Sequence, residues 1–303
     1  MPKPIFEFGS DELGKVLNES VRLTKPFDRV YMVQPYNEIY PRTHKGAKPL
    51  SARTNAFLII QAARRMAKAG EIQTVIWDGF SNLARSVKNE VAHSGVNTDE
   101  NTKNMMTQWG DDRTSVLNTP GVNWRDYGVC QEFLRNDFRN PLLSAPEPFN
   151  LLMLGHEVLN ENEGEYGPDA GGPKSWNFGG GVFEGVFWVG KLSGTRVLAI
   201  EDFKRGAHTV KATLKKSPDK EVGQKGFIKI PDTYEGSVGV WNEILAAQSS
   251  PLTRVCIYGG YDGGKSALSS AFLGTKNAGT VLVIMNDQQL GLPTWWPEAK
   301  EKK

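Results

Sequence analysis

A glycine-rich segment near the C-terminal end of the sequence carries the residue types that bind phosphate groups. Residues 259–266, GGYDGGKS, match the pattern G-x-x-x-x-G-K-[ST] at every fixed position. Glycines allow successive backbone N–H groups to converge on phosphate oxygens, in conformations that a Cβ atom blocks. Lys265 adds a positive charge for the β- and γ-phosphates, and the Ser266 hydroxyl is a Mg²⁺ ligand in such motifs. The segment is therefore predicted to be a phosphate loop that binds a nucleoside triphosphate with Mg²⁺.

The sequence on either side of this loop supports the prediction. An apolar run typical of a strand, RVCIYG, precedes the loop, and a run typical of a helix, KSALSSAFLG, follows it. This is the context that the pattern requires, and the N-terminus of the helix adds its positive dipole end. The alternative is a chance match, which the 32 glycines of the chain make easier. We expect nucleotide contacts from Gly259, Gly260, Tyr261, Asp262, Gly263, Gly264, Lys265, Ser266 and Ala267.

A second acidic residue, at the end of a neighbouring strand, is needed to hold Mg²⁺ at such a loop. The sequence after Ser266 has room for one helix and one strand, so this residue must come from upstream. Residues 74–78, TVIWD, form a hydrophobic run that ends in Asp78. Asp78 is therefore predicted to be the second metal-binding residue. The alternative is a strand that ends there because Asp-Gly is a common turn.

Five apolar runs predict the strands that would position these residues, at 29–34, 74–78, 149–155, 254–259 and 280–286. They are nearly continuous in apolar character, as parallel strands covered on both faces are. Helical patterns lie at 51–69, 80–91, 125–138 and 238–248. Together they predict an α/β fold with a mainly parallel sheet.

The stretch at about 182–230 has a different texture, with short strands joined by glycine- and lysine-rich turns. It predicts antiparallel β-hairpins beside the main sheet. Residues 95–123 and 160–181 have the composition of long loops. Since no internal repeat or domain boundary is evident, we expect residues 1–303 to form a single domain.

The composition limits the function classes. A net charge of +2 gives no warrant for a strongly basic nucleic-acid footprint, so any such contact must come from a local patch. The two cysteines, Cys130 and Cys256, lack metal-ligand spacing, which indicates free thiols in a reducing compartment. Neither an apolar signal segment nor a long apolar run is evident, so we expect a cytoplasmic protein without a membrane partner.

Several segments follow one another along the chain: TVIWDGFSNL, then FNLLMLGHEV, then a Gly/Pro-rich loop and β-hairpins. Their order resembles that of the RecA-like AAA ATPases encoded by phages. The resemblance spans about residues 29–216 together with the phosphate loop. It implies a three-layer P-loop NTPase and a location in the host cytoplasm. In that family the phosphate loop comes first, and here it comes last, which implies a circularly permuted member. The resemblance further implies a Mg²⁺-dependent ATPase that acts in phage DNA metabolism, in recombination or strand annealing. It also implies a homo-oligomer and the binding of single-stranded DNA or a phage protein.

The same resemblance indicates where to look for the groups of hydrolysis. These groups orient the attacking water and stabilise charge on the γ-phosphate. The candidates for the first role are His156, Glu157 and Asp287, each of which also fits an ordinary strand exit or turn. The candidates for the second role, which equally fit solvated hairpin tips, are Lys204, Arg205, Lys211 and Lys215.

Other functions stay open. One is a non-hydrolysing protein in which ATP stabilises a structural or regulatory assembly. Another is a small-molecule kinase, although no arginine-rich lid follows the loop. ATP is favoured over GTP because the sequence holds no Asn-Lys-x-Asp motif. Trp176 and Phe178 beside Lys174 fit stacking on single-stranded bases, and a flexible or partner-contacting loop is the alternative.

Overall fold

The computed structural model describes residues 21–35, 52–94, 130, 132–143, 149–169, 183–214, 226–247 and 253–285. The predictions made for Asp287, Lys215 and residues 95–123 lie outside these ranges, as do those for Lys174, Trp176 and Phe178. Within the described ranges, no helix has both the length and the apolar character needed to cross a membrane.

Six neighbouring strands run parallel to one another around the predicted phosphate loop. In spatial order they are β2 (Val30–Pro35), β12 (Val281–Met285), β3 (Thr74–Asp78), β4 (Asn150–Asn160), β11 (Arg254–Gly259) and β6 (Gly185–Leu192). A further strand, β1 (Val21–Phe27), pairs antiparallel with β2. All of β12 and the first four residues of β3 are buried, which accounts for their continuous apolar sequences.

The other strands close part of the sheet into a barrel. The strand β4 pairs antiparallel with β5 (Glu165–Pro168), which pairs with β9 (His208–Leu214). In turn β9 pairs with β6, and β11 lies between β6 and β4, so the ring β4-β5-β9-β6-β11 is closed. Outside the ring, β7 (Thr195–Ala199) pairs with β6, β10 (Phe227–Lys229) with β7, and β8 (Glu201–Arg205) with β9.

The predicted fold class is therefore wrong. We expected a circularly permuted, three-layer RecA-like P-loop NTPase with a mainly parallel sheet, and the structure has a mixed sheet with a closed five-stranded barrel. The expected loop at 160–181 contains β5, and the hairpins of 182–230 are part of the sheet rather than beside it. The physical reason is the length of β4, which extends well past the neighbouring β3 and so offers its edge to β5.

Helices pack against the sheet over two apolar clusters. The first cluster, which includes Trp77 and Met153, lies under α1 (Ala52–Lys68) and α2 (Phe80–Ser94) and extends into the barrel. A π-helical turn at Leu134–Arg139 and the short α3 (Asn140–Leu143) also contribute to it. The second cluster, which includes Ile76 and Leu154, lies under α4 (Tyr234–Ala247) and α5 (Lys265–Ala271).

Local capping sets where two of these helices begin and end. Gly70 adopts a φ of +75° just beyond α1, a left-handed conformation that suits a glycine at the end of a helix. The helix α4 begins earlier than the predicted residue 238, because the Thr233 hydroxyl accepts a hydrogen bond of 3.1 Å from the Gly236 N–H. This N-cap satisfies one of the free donors of the first turn.

Both cysteines are expected to be slow to react in the native protein. Burial raises the pKa of the Cys130 and Cys256 thiols to about 12, and the reactive form of cysteine is the thiolate. A chromogenic aromatic disulfide at mildly alkaline pH should therefore label both thiols quickly only after denaturant is added. Rapid labelling of two thiols without denaturant would contradict their burial.

Candidate functional site

The glycine-rich loop, residues 259–266, joins β11 to α5 at the carboxyl end of the parallel strands. Gly264 adopts a left-handed φ of +89° at the N-cap of α5, and Asp262 is also left-handed at +58°. Glycine adopts this conformation without cost, and aspartate is among the few other residues that tolerate it. The chain thus turns tightly enough for the first helical turn of α5 to face the loop.

The loop packs so closely against β6 that side chains would not fit at two of its glycines, and a third glycine lies close to β7. A Cβ atom at Gly259 would lie 2.1 Å from the carbonyl oxygen of Val189, and one at Gly263 would lie 2.7 Å from the same oxygen. At Gly264 it would lie 3.1 Å from Nε of Arg196. Gly259 and Gly263 therefore require glycine for packing, and the positive φ angles of Gly259 and Gly264 favour glycine for backbone conformation.

Lys265, Ser266 and Asp78 meet at this loop. The Lys265 ammonium lies 2.8 Å from the carbonyl oxygen of Gly260 and 3.1 Å from that of Gly259. The Ser266 hydroxyl donates a hydrogen bond of 2.9 Å to Oδ2 of Asp78. Because Mg²⁺ prefers oxygen ligands and keeps several waters, a hydroxyl and a carboxylate at this distance fit that ion. The structure therefore brings together the residues that the sequence predicts for phosphate and metal.

His156 lies beside the loop, as expected, but within a strand rather than at its end. It is paired with Gly259 in the β4–β11 ladder, and its ring centroid is 4.4 Å from that of Tyr261. Its backbone N–H donates to the hydroxyl of Ser81, which in turn donates to the carbonyl oxygen of Asp169. His156 is thus held firmly between the loop and α2.

Glu157 faces the barrel instead of the metal-binding pair. Its carboxylate accepts hydrogen bonds from the indole of Trp188, at 3.1 Å, and from the guanidinium of Arg205, at 3.0 Å. The Arg205 guanidinium also lies over the ring of Tyr166, 3.9 Å from its centroid. Glu157 still lies near the loop, since a Cβ at Gly260 would be 3.4 Å from its Oε1.

The other described candidates for stabilising charge on the γ-phosphate, Lys204 and Lys211, also have partners on the barrel. Lys204 donates to the hydroxyl of Thr209 at 2.8 Å. Lys211 forms ion pairs with Asp202 at 2.7 Å and with Glu165 at 3.3 Å. The hydrogen bond to Asp202 raises the pKa of Lys211, although partial burial acts in the opposite direction. These contacts indicate that Arg205, Lys204 and Lys211 stabilise the barrel.

An open cleft of about 490 Å³ surrounds the glycine-rich loop. On one side it is lined by Asp78, Gly155 and His156, from β3 and β4. On the other side, which we call the far wall, it is lined by Arg196 of β7 and by residues 231–234 before and at the start of α4. Sequence reasoning missed the far wall, for which the only signal was the helix-start pattern Pro-Asp-Thr.

No family model, curated protein or solved structure matches this chain.

Proposed function

We propose that this chain binds a nucleoside triphosphate together with Mg²⁺ at the glycine-rich loop. The observation that supports this most is the hydrogen bond of 2.9 Å between Ser266 and Asp78. It joins the loop hydroxyl to a carboxylate from a strand that is distant in sequence, and a chance glycine-rich motif gives no reason for that carboxylate to be there. The ammonium of Lys265 and the first turn of α5 add positive charge at the same point.

Each side chain then has a definite task. Lys265 faces the β- and γ-phosphates, and the backbone N–H groups of the loop and of the first turn of α5 donate to phosphate oxygens. Ser266 and Asp78 hold Mg²⁺, which when bound neutralises charge on the β- and γ-phosphate oxygens. ATP is the proposed nucleotide, since the sequence holds no guanine-reading Asn-Lys-x-Asp motif.

Hydrolysis of ATP is the proposed reaction, with His156 as the side chain that orients water. His156 lies on the same side of the cleft as Asp78, and contacts with Ser81 and Tyr261 hold it in place. The second candidate is binding without turnover, in a structural or regulatory protein. It is favoured by the contacts of Glu157, whose Oε2 accepts hydrogen bonds from Trp188 and Arg205.

The metal part of the proposal predicts that Asp78→Asn lowers the affinity for ATP only when Mg²⁺ is present. The amide keeps the size of the side chain but removes the negative charge that attracts the cation. We expect a loss of about tenfold, or roughly 1.4 kcal/mol, in Mg²⁺ and no change in a chelator. Calorimetric titration with ATP under both conditions measures this, with Glu243→Gln on the exposed surface of α4 as the matched control.

Equal affinities of wild type and Asp78→Asn in Mg²⁺ would contradict the metal assignment. Phosphate release by the same proteins separates the two candidate functions. Turnover supports the ATPase, and stoichiometric binding without phosphate release supports the structural role. A DNA partner rests on the sequence resemblance alone, and stimulation of turnover by single-stranded DNA is its test.

A further inference from the structure

The far wall of the cleft is a well-defined surface whose residues have no part in the proposed binding of phosphate or metal. Arg196 projects from β7, and its backbone carbonyl accepts a hydrogen bond of 2.9 Å from the N–H of Ile230. This contact sets residues 231–234 directly beside Arg196. Gly236 allows the first turn of α4 to pack closely on this segment, because a Cβ there would lie 2.4 Å from Cβ of Pro231. The far wall is therefore anchored to the sheet and to α4.

The positions of Asp78 and Ser266 give the bound nucleotide a direction. A Mg²⁺ ion held by Asp78 and Ser266 would neutralise charge on the β- and γ-phosphates, so these two residues would mark the γ-phosphate end of the nucleotide. Asp78 and His156 come from β3 and β4, on one side of β11, whereas Arg196 comes from β7, beyond β6 on the other side. The ribose and base must leave the loop on the side away from the γ-phosphate. That side is the far wall.

Arg196 has the geometry to receive a ligand there. Its side chain is 26% exposed, and its Nε is buried without a hydrogen-bond partner among the described residues. Its closest acidic group is Oδ1 of Asp232, which lies 3.7 Å from NH1, too far for a good hydrogen bond. Because Nε is covered by the protein, the exposed part of the guanidinium is the part that a ligand can reach. The flat guanidinium also offers a face on which a base can stack.

Asp232 complements Arg196 at the rim of the same wall. Its side chain is 90% exposed and lines the cleft. A carboxylate is an acceptor, which suits the hydroxyl donors of a ribose. Tyr234, which also lines the cleft, packs its ring against the apolar cluster under α4 and gives this wall a rigid apolar base.

From this arrangement we propose that Arg196 and residues 231–234 form the subsite for the ribose and base of the nucleotide. This inference rests on the proposed function and adds to it the part of the ligand that the loop does not bind. Arg196 stacks its guanidinium face on the base, while Asp232 accepts from the ribose hydroxyls. Inorganic tripolyphosphate has no nucleoside, so it uses the loop alone.

The test compares ATP with inorganic tripolyphosphate, both with Mg²⁺, by calorimetric titration. We expect Arg196→Ala to weaken ATP binding about tenfold and to leave tripolyphosphate binding within roughly twofold. Arg196→Lys keeps the charge but loses the flat guanidinium face, so it should behave like Arg196→Ala. The matched control is Arg135→Ala, at an exposed position of the π-helical turn, which should change neither ligand.

The outcomes separate this inference from the proposal on which it rests. Unchanged tripolyphosphate binding also shows that the variant is folded. Equal losses for both ligands would place Arg196 on the phosphates and overturn the subsite, as would unchanged ATP binding in either variant. If the wild type binds neither ligand, the nucleotide-binding function itself fails.

Discussion

Replacing Lys265 by alanine is expected to weaken the binding of Mg²⁺–ATP by about 100-fold, or roughly 2.7 kcal/mol. The ammonium lies over the glycine-rich loop, within 3.1 Å of two of its carbonyl oxygens, at the position where the β- and γ-phosphates would enter. Hydrogen bonds to charged groups contribute about 1.5–3 kcal/mol each, and alanine removes both the charge and the donors. Titration of wild type and variant with ATP in Mg²⁺ measures the loss, and any phosphate release should fall in parallel.

The control for this experiment is Lys276→Ala, at an exposed position after α5. It removes the same charge from the protein without touching the loop, so it should leave ATP affinity unchanged. A Lys265→Ala variant that binds ATP as well as Lys276→Ala does would overturn the nucleotide site. Lys265→Ala should weaken the binding of tripolyphosphate as much as that of ATP. Arg196→Ala should weaken only the binding of ATP, so the two ligands distinguish the roles of the two residues.

Replacing Trp241 by alanine is expected to lower the free energy of unfolding by about 3–5 kcal/mol. Trp241 is fully buried in the apolar cluster under α4 and α5, with ring centroids 5.1 Å from Phe272 and 6.4 Å from Phe187. Its indole N–H donates a hydrogen bond of 2.6 Å to the carbonyl oxygen of Leu268 in α5. Alanine therefore leaves a large cavity and a buried carbonyl group without this donor.

Denaturant unfolding of wild type, Trp241→Ala and Trp241→Phe measures the loss and divides it between its two causes. Phenylalanine keeps most of the ring but removes the N–H, so it should cost about 1–3 kcal/mol. A loss below about 1 kcal/mol for Trp241→Ala would show that α4 and α5 are not packed as the structure has them. ATP is proposed to bind only the native state, at the loop before α5, which begins at Lys265. Saturating ATP should therefore raise the midpoint of unfolding of the wild type.

His156 and Glu157 are adjacent in the sequence, and both were candidates for orienting the attacking water, but their side chains lie on opposite faces of β4. The sequence suggests a strand that ends before them, after which a turn would allow both side chains to reach one site. In the structure β4 continues through both, and successive side chains of a strand point to opposite faces. His156 shares the face of Leu152 and Leu154, toward the loop and α5, whereas Glu157 shares the face of Leu151 and Met153, toward the barrel.

The sequence by itself determined the local chemistry of the site. The fixed spacing of residues 259–266, an apolar run before it and a helical run after it were enough to predict a strand, a tight loop and a helix. These depend on backbone conformations and hydrogen bonds within a few residues, which sequence patterns record directly. The hydrophobic run ending in Asp78 was likewise local, and the need for a second acidic residue pointed to it.

Three features could be found only from the tertiary structure. They are the closure of the barrel, the direction in which the Glu157 side chain points, and the position of Arg196 in the far wall. Each depends on which strand edges pair, and β5–β9, β6–β9 and β7–β10 join segments that are distant in sequence and whose register no local pattern specifies. Arg196 appeared in the sequence as one charged residue of a hairpin. It lines the cleft because β7 pairs with β6, which places it against Gly264, and the closeness of those two residues is a property of the folded sheet alone.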